Sequence, residues 1–225
     1  MAMEEAFNVD IPERALIDLD ERLRRWHPTT AIADKGTWSS GTDPEFLDGL
    51  VDYWRHGYDW QRCQEAINRW PNYLVDIGPQ RLHFIREPGT EVEDAPRPMP
   101  LVITHGWPGS VVEFMGIIGP LTDPVAHGGR AEDAFHVIAP SLPGYGFSGK
   151  PAARGWNVPQ IARAWAQLAG RLGYQRWVAQ GGDWGAAVTA AIGEQAPAGC
   201  RGIHLNMAIA RRTQSARDNP TAEER

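Results

Sequence analysis

Between Pro12 and Pro71, apolar residues recur at the three- and four-residue spacing of amphipathic helices. The three sets are Leu16, Leu19, Leu23 and Trp26; Leu47, Leu50, Val51 and Trp54; and Trp60, Cys63, Ile67 and Trp70. Pro12 and Pro44 precede the first two sets, where proline suits a first helical turn, and Pro71 ends the third. The pattern predicts three helices in this N-terminal region.

From Tyr73 onward the pattern changes to short apolar segments that alternate with helical ones. The predicted strands lie near residues 73–77, 81–86, 100–104, 134–139, 176–180 and 201–206, and the predicted helices near 110–119, 158–172 and 184–195. Strands that alternate with helices form parallel sheets, and the first two strands are close enough to form a hairpin. The expected fold class is α/β, with about six strands preceded by a helical region.

Composition and charge exclude several kinds of protein. The chain has 225 residues, 42% of them hydrophobic, which is enough to bury a core, and its net charge is −6. It has no basic cluster to contact a phosphate backbone, so we do not expect a nucleic-acid partner. No apolar run is long enough for a transmembrane helix. The acidic N-terminus does not resemble a signal peptide, and Cys63 and Cys200 form no disulfide framework, so we expect a cytoplasmic protein.

Five tryptophans fall in the N-terminal region, at positions 26, 38, 54, 60 and 70. Such a concentration is compatible with a ligand cage or with a set of packing anchors. We predict that these tryptophans are packing anchors.

The most informative pattern is a sharp turn between a predicted strand and a predicted helix. Residues 177–180 are typical of a buried strand, residues 181–185 are Gly-Gly-Asp-Trp-Gly, and a helix of small residues follows. This is the layout of a nucleophile elbow, in which glycines two residues either side of the nucleophile avoid collisions in a strained turn. Asp183 occupies the nucleophile position. The alternative is that Asp183 only caps the helix.

A second motif, His105-Gly106-Trp107-Pro108-Gly109, follows the third predicted strand. In folds with a nucleophile elbow this loop supplies one backbone N–H of the oxyanion hole, and the residue after the nucleophile supplies the other. The predicted donors are the amides of Trp107 and Trp184. We expect a structural role for His105, because this fold does not keep its general base after this strand. The Trp107–Pro108 bond is a candidate for a cis peptide.

Glycines at positions 144, 146 and 149, followed by Lys150, match a dinucleotide fingerprint and nearly match a phosphate-binding loop. However, no helix is predicted directly after Gly149, and Pro151 stands where a magnesium-binding hydroxyl is needed. We therefore predict a tight loop that lines the same crevice as Asp183, and no nucleotide site.

Together these motifs resemble the epoxide hydrolases of the α/β-hydrolase superfamily. In the core the resemblance rests on HGWPGS (105–110), PSLPGYGFSGKP (140–151) and GGDWG (181–185). Further stretches are similar to the N-terminal domain of microsomal and juvenile-hormone type enzymes, namely RRW (24–26), TWSSGT (37–42), YWRHGYDW (53–60), INRWPNY (67–73) and RLHFIRE (81–87). The resemblance implies that residues 1–97 hold this N-terminal region with the first hairpin. Residues 98–225 then form the first part of the hydrolase core.

The resemblance also implies that the protein hydrolyses a small hydrophobic epoxide to a vicinal diol. Asp183 would attack an epoxide carbon to form an alkyl-enzyme ester, and a histidine-activated water would cleave the ester while the amides of Trp107 and Trp184 hold the oxyanion. No metal or other cofactor is implied. Haloalkane dehalogenases share an Asp nucleophile followed by Trp but lack the helical N-terminal region, and they are the alternative family.

Other residues of this mechanism have no counterpart in the chain. The resemblance requires two cap tyrosines, an acidic residue and a base histidine, yet after Asp183 there is no tyrosine and one histidine, His204. His204 falls within a predicted strand, where we expect a packing role. We therefore expect a truncated chain that is inactive alone. Its exposed last strand would favour self-association or association with a missing C-terminal portion. The alternative is a catalytically silent remnant that acts as a binding or assembly module.

Overall fold

The computed structural model describes residues 4–27, 36–39, 41–151, 153–209, 218 and 221. It divides into two compact units, one of Asn8–Arg69 and the other of Met1–Phe7 together with Trp70–Arg225. Of the described helices, none has the length and apolar character needed to cross a membrane.

The smaller unit contains the three predicted helices. They are α1 (Glu13–Arg24), α2 (Pro44–His56) and α3 (Trp60–Asn68). Asp43 and Asp59 cap α2 and α3, because each carboxylate accepts hydrogen bonds from the backbone N–H groups two and three residues further on. The side-chain amide of Asn68, at the end of α3, accepts a hydrogen bond from the Val9 N–H and donates one to the Val9 carbonyl, each at 2.9 Å. These contacts stabilise the N-termini of α2 and α3 and fix the end of α3 to the segment before α1.

The prediction that the tryptophans are packing anchors is wrong for two of them. Trp38 is 54% exposed and Trp54 is 45% exposed. Trp38 packs only against Phe46 among the described aromatic rings, and Trp54 lies along an open, mostly apolar groove of about 840 Å³. Apolar spacing identified the helices, but it did not tell which apolar residues lie in a core.

The larger unit is built on a seven-stranded sheet with the order β1-β2-β3-β5-β4-β6-β7. Its strands are β1 (Glu5–Phe7), β2 (Asn72–Ile77), β3 (Gln80–Glu87), β4 (Met99–Thr104), β5 (Phe135–Pro140), β6 (Trp177–Gly181) and β7 (Cys200–Leu205). β1, β2 and β3 form antiparallel pairs, and β3 is antiparallel to β5. The other pairs, β4 with β5, β4 with β6, and β6 with β7, are parallel. The six predicted strands are confirmed. β1 was not predicted, because three residues are too few to show an alternating pattern.

Helices cover both faces of this sheet. They are α4 (Met115–Thr122), α5 (Val158–Arg171) and α6 (Trp184–Gln195), and α4 is preceded by a 3-10 turn at Val111–Phe114. Successive side chains of a strand point to opposite faces, so Val102 of β4 belongs to the core beneath α5 and α6. Leu101 and Ile103 belong to the core beneath α4. The confirmed fold class is α/β.

The strand order gives the sheet a switch point at the end of β4, where α/β sheets form a crevice. This strand lies between β5 and β6 and is parallel to both, so the strand order reverses there. At such a switch point the loops that leave the carboxyl ends of neighbouring strands diverge and leave room for a ligand. The loops after β4 and β6, which carry the two central motifs, therefore meet at this crevice.

A buried histidine on β3 joins the sheet to the loop after β5. The Nε2 atom of His83 lies 2.8 Å from Asn72 Oδ1, and its Nδ1 atom lies 2.9 Å from Ser141 Oγ. Because the Asn72 amide nitrogen donates to the Trp70 carbonyl, its oxygen accepts from Nε2–H, and the Ser141 hydroxyl donates to Nδ1. Burial lowers the pKa of His83 to about 4 from 6.5. The ring is therefore neutral at neutral pH.

This network makes a prediction about stability in acid. The unfolded chain binds a proton at His83 near pH 6.5, and the folded chain binds it only near pH 4. The contribution of His83 to the free energy of unfolding is therefore complete above pH 6.5 and decreases as the pH falls towards 4. Complete titration should remove roughly 3 kcal/mol. In urea unfolding between pH 7 and pH 4, the variant His83→Gln should lose this part of the pH dependence.

The matched control is His204→Gln, which removes an exposed imidazole from β7. It should follow the wild-type curve. An equally steep loss of stability in His83→Gln and in wild type would contradict the assignment.

Candidate active site

Asp183 lies in a strained turn between β6 and α6. Its φ of 50° and ψ of −126° are rare for a residue with a side chain. Its carboxylate accepts no hydrogen bond of the kind that caps a helix, so the capping alternative is wrong. The turn therefore holds an exposed carboxylate in a conformation that local sequence preferences do not explain.

The glycines of the motif are needed because three backbone segments pack against one another. A Cβ atom at Gly181 would lie 2.0 Å from the Gly185 carbonyl oxygen. A Cβ atom at Gly185 would lie 2.0 Å from the Thr104 carbonyl oxygen, at the end of β4. The steric reason predicted for glycine at these two positions is confirmed.

The loop after β4 presents a hydrogen-bond donor to this carboxylate. The backbone N–H of Trp107 donates to Asp183 Oδ1 at 2.8 Å. The backbone N–H groups of Trp107 and Trp184 together lower the pKa of Asp183 below its ordinary value. The two predicted donors and Asp183 are thus brought together, and the carboxylate is ionised at neutral pH. The Trp107–Pro108 peptide bond is cis.

The side chains of both tryptophans are exposed. Trp107 is 65% exposed and Trp184 is 54% exposed. Their backbone groups, rather than their rings, therefore form the site.

Gly106 is a site residue that the sequence did not single out. A Cβ atom at this position would lie 2.4 Å from both Cβ and Oδ1 of Asp183. The loop after β4 can therefore approach the carboxylate only where it carries no side chain. The sequence feature that could have identified this residue is its place directly before Trp107, the predicted donor.

His105 has the structural position that was expected. It is fully buried, and its Nδ1 atom lies 2.9 Å from the Gly106 carbonyl oxygen. Its Nε2 atom accepts a hydrogen bond of 3.1 Å from the Leu142 N–H. Burial lowers the pKa of this imidazole. His105 therefore joins the loop after β4 to the loop after β5.

The glycine-rich stretch after β5 forms a tight loop, as predicted. The Gly144 N–H donates to the Gly149 carbonyl at 3.1 Å, and the Gly149 N–H donates to the Arg81 carbonyl at 2.9 Å. The next helix, α5, begins only at Val158, so no helix N-terminus follows Gly149 to bind a phosphate.

His204 lies on β7, opposite Gln180 of β6. Its side chain is exposed, so the packing role expected for it is wrong. Within the described ranges, no imidazole and no tyrosine hydroxyl forms a hydrogen bond with the Asp183 carboxylate. The described site thus contains a carboxylate and backbone donors, without a general base.

Comparison with known proteins agrees with this geometry. Residues 4–114 match the family model described as epoxide hydrolase N terminus, and residues 99–224 match the model described as alpha/beta hydrolase fold. A Stigmatella aurantiaca protein named "Putative epoxide hydrolase" is 52% identical over 205 residues, which are 90% of this chain and 45% of that protein. Epoxide hydrolase 1 of Oryctolagus cuniculus is 38% identical over 90% of this chain and 44% of its own length.

A solved structure shows the same likeness in three dimensions. The juvenile hormone epoxide hydrolase of the silkworm Bombyx mori superposes with a TM-score of 0.84 at 30% sequence identity, over 96% of this chain and 50% of that one. The chain thus spans about half the length of the relatives it matches. The two family models together cover it from residue 4 to residue 224, and the chain belongs to the epoxide hydrolase family of the α/β-hydrolase fold.

Proposed function

We propose that this chain supplies the nucleophile and the oxyanion hole of an epoxide hydrolase, an enzyme that converts a small hydrophobic epoxide into a vicinal diol. The observation that carries the proposal is the 2.8 Å hydrogen bond from the Trp107 amide to the carboxylate of Asp183. It is supported by the strained turn that exposes Asp183 and by the names of the relatives.

In the first step a carboxylate oxygen of Asp183 attacks a carbon of the epoxide ring. The new bond joins that oxygen to the ring carbon, the bond between this carbon and the ring oxygen breaks, and the ring oxygen leaves as an alkoxide that must take a proton. The Trp107 amide holds Oδ1 and leaves the other carboxylate oxygen for the attack. The lowered pKa of Asp183 keeps the nucleophile ionised.

In the second step a water molecule attacks the carbonyl carbon of the Asp183 ester. Negative charge develops on the carbonyl oxygen, where the amides of Trp107 and Trp184 stabilise it. Collapse of this intermediate breaks the bond between the carbonyl carbon and the alkyl oxygen; the alkyl oxygen takes the proton that the base removed from the water, the diol leaves, and the Asp183 carboxylate is restored. A general base must take the proton of the water. We assign that base, the triad acid and the tyrosines that protonate the alkoxide to a C-terminal portion outside these residues.

We also propose how that portion associates with the chain. β7 is the last strand at its end of the described sheet, so its outer N–H and C=O groups are free to pair with another strand. Beside it lies an apolar groove of about 600 Å³, lined by Leu101, Ile103, Phe114, Ile117, Leu121 and Val178 among others. We assign this edge and groove to the C-terminal portion of an epoxide hydrolase, on the same or on a second polypeptide.

The division of the chain follows from the same proposal. Residues 1–97 form the epoxide hydrolase N-terminal region with the first hairpin, and residues 98–225 form the first part of the core. A cytoplasmic location is supported by the free thiols of Cys63 and Cys200. Cell fractionation with an antibody against the chain tests the location.

The 225-residue chain alone should form a covalent adduct without turnover. Incubated with styrene oxide, it should slowly gain the mass of one epoxide on Asp183 and produce no sustained diol, because the described residues place no base beside the ester. Intact mass spectrometry, peptide mapping and chromatography measure these outcomes. Asp183→Asn should form no adduct, since asparagine tolerates a positive φ but is not a nucleophile. An equal adduct on Asp183→Asn, or no adduct on Asp183 in wild type, would overturn the role of this residue.

Gly106→Ala should slow the same reaction. The added methyl would collide with Asp183 and displace it, which should slow adduct formation by about 100-fold. Gly116→Ala is the matched control, because a Cβ there has no neighbour within 4 Å, and it should react like wild type. Equal rates for the two variants would show that the close contact does not position the carboxylate.

The proposed association can be tested by complementation. The C-terminal half of the Stigmatella aurantiaca relative, added as a separate polypeptide, should restore diol formation. Ile117→Asp places a charge in the groove and should weaken this complementation at least about tenfold. Val92→Asp is the control, since Val92 and Ile117 are each 43% exposed but Val92 lies outside the groove. A mixture without activity, or equal effects of the two variants, would contradict the assigned surface.

A further inference from the structure

We propose that His105 is a positioning residue for the oxyanion hole, which fixes the Gly106–Trp107 peptide plane so that the Trp107 N–H points at Asp183. This role rests on the proposed function of Trp107 as an oxyanion donor. The catalytic residues themselves remain Asp183 and the backbone donors.

One peptide group, between Gly106 and Trp107, links His105 to Asp183. In a trans peptide the C=O of one residue and the N–H of the next point in opposite directions. The Gly106 carbonyl lies 2.9 Å from His105 Nδ1, and the Trp107 N–H on the other side of the same peptide lies 2.8 Å from Asp183 Oδ1. A bond that holds the carbonyl therefore also aims the N–H.

This peptide needs such support because of Gly106. Any side chain there would collide with Asp183, so the position requires glycine. Glycine, however, leaves its backbone dihedrals nearly unrestricted. If the peptide rotated, the Trp107 N–H would turn away and a carbonyl oxygen would face the carboxylate instead. The hydrogen bond from His105 opposes this rotation.

The direction of that bond follows from the other side of the ring. The Leu142 N–H can only donate, so His105 Nε2 must be unprotonated. A neutral imidazole then carries its proton on Nδ1, which donates to the Gly106 carbonyl. Burial of the ring, which lowers its pKa, favours this neutral form.

The Leu142 N–H is itself held in place by the second buried histidine. Ser141, the preceding residue, donates its hydroxyl to His83 Nδ1. The Ser148 hydroxyl accepts a hydrogen bond of 3.0 Å from the backbone N–H of His83 and donates one of 2.7 Å to the Ser141 backbone carbonyl. A continuous set of hydrogen bonds thus runs from β3 through the loop after β5 to the Trp107 amide.

Two substitutions separate the two bonds of His105. His105→Asn places an amide N–H near the position of Nδ1 and can still donate to Gly106, but it loses the acceptor for Leu142. His105→Gln places its amide oxygen near the position of Nε2 and can still accept from Leu142, but it loses the donor to Gly106. Both are made in the 225-residue chain, and their thermal midpoints are recorded.

The first measurement is the pKa of Asp183 by carbon NMR of its carboxyl group. We expect His105→Asn to keep the lowered pKa, and His105→Gln to shift it upward because the Trp107 N–H is no longer aimed at the carboxylate. Adduct formation with styrene oxide should be at least about tenfold slower in His105→Gln than in His105→Asn. If His105 only filled space, the larger glutamine would serve as well as asparagine, and such a result would overturn the proposal.

The second measurement needs no variant and so does not depend on their folding. Nitrogen NMR of the His105 ring in the wild-type chain should show the tautomer with the proton on Nδ1, and a proton on Nε2 would overturn the proposal. If wild type forms no adduct while the two variants differ in the pKa of Asp183 as expected, the proposed function fails and the positioning role stands. If wild type forms the adduct and the two variants do not differ in the pKa of Asp183, the positioning role of His105 fails and the proposed function stands.

Discussion

The hydrogen bond from the Trp107 N–H to the Asp183 carboxylate is the contact on which this site depends. It requires the loops after β4 and β6 to pack so closely that no Cβ atom fits between their backbones. Glycine at positions 106, 181 and 185 makes that approach feasible, since a Cβ atom at any of the three would lie within 2.4 Å of a neighbouring atom. Close packing, more than any single side chain, thus places the carboxylate and its donor in one crevice.

Two buried imidazoles provide the rigidity that the glycines cannot. His83 and His105 each present an unprotonated nitrogen to consecutive residues of one loop, the first to the Ser141 hydroxyl and the second to the Leu142 N–H. A satisfied polar network of this kind fixes one arrangement, because any other leaves buried groups unpaired. This network is less stable in acid, because protonation of His105 Nε2 would place its N–H against the Leu142 N–H, and both groups are donors.

In the proposed function, the described residues serve the first of two chemical steps. The Asp183 carboxylate and the Trp107 N–H are already in hydrogen-bond contact, and donors fixed in this way need no reorganisation when charge develops. A proton donor for the alkoxide and a base for the water are not among the described neighbours of Asp183. The free edge of β7 and the apolar groove beside it lie in the same unit as the site. The proposed function assigns this edge and groove to the portion that would supply the proton donor and the base.

The sequence by itself determined the order of helices and strands, the turn at Asp183 and the two backbone donors. Each of these depends on short-range patterns, namely alternation, helical spacing and glycines at fixed offsets. It did not determine β1, whose three residues pair with β2 from 65 to 69 positions away. Nor did it reveal the collision that makes Gly106 necessary, the exposure of Trp38 and Trp54, or the partners of His83 and His105. Those features depend on atoms far apart in the chain, and only the tertiary structure decides which of them touch.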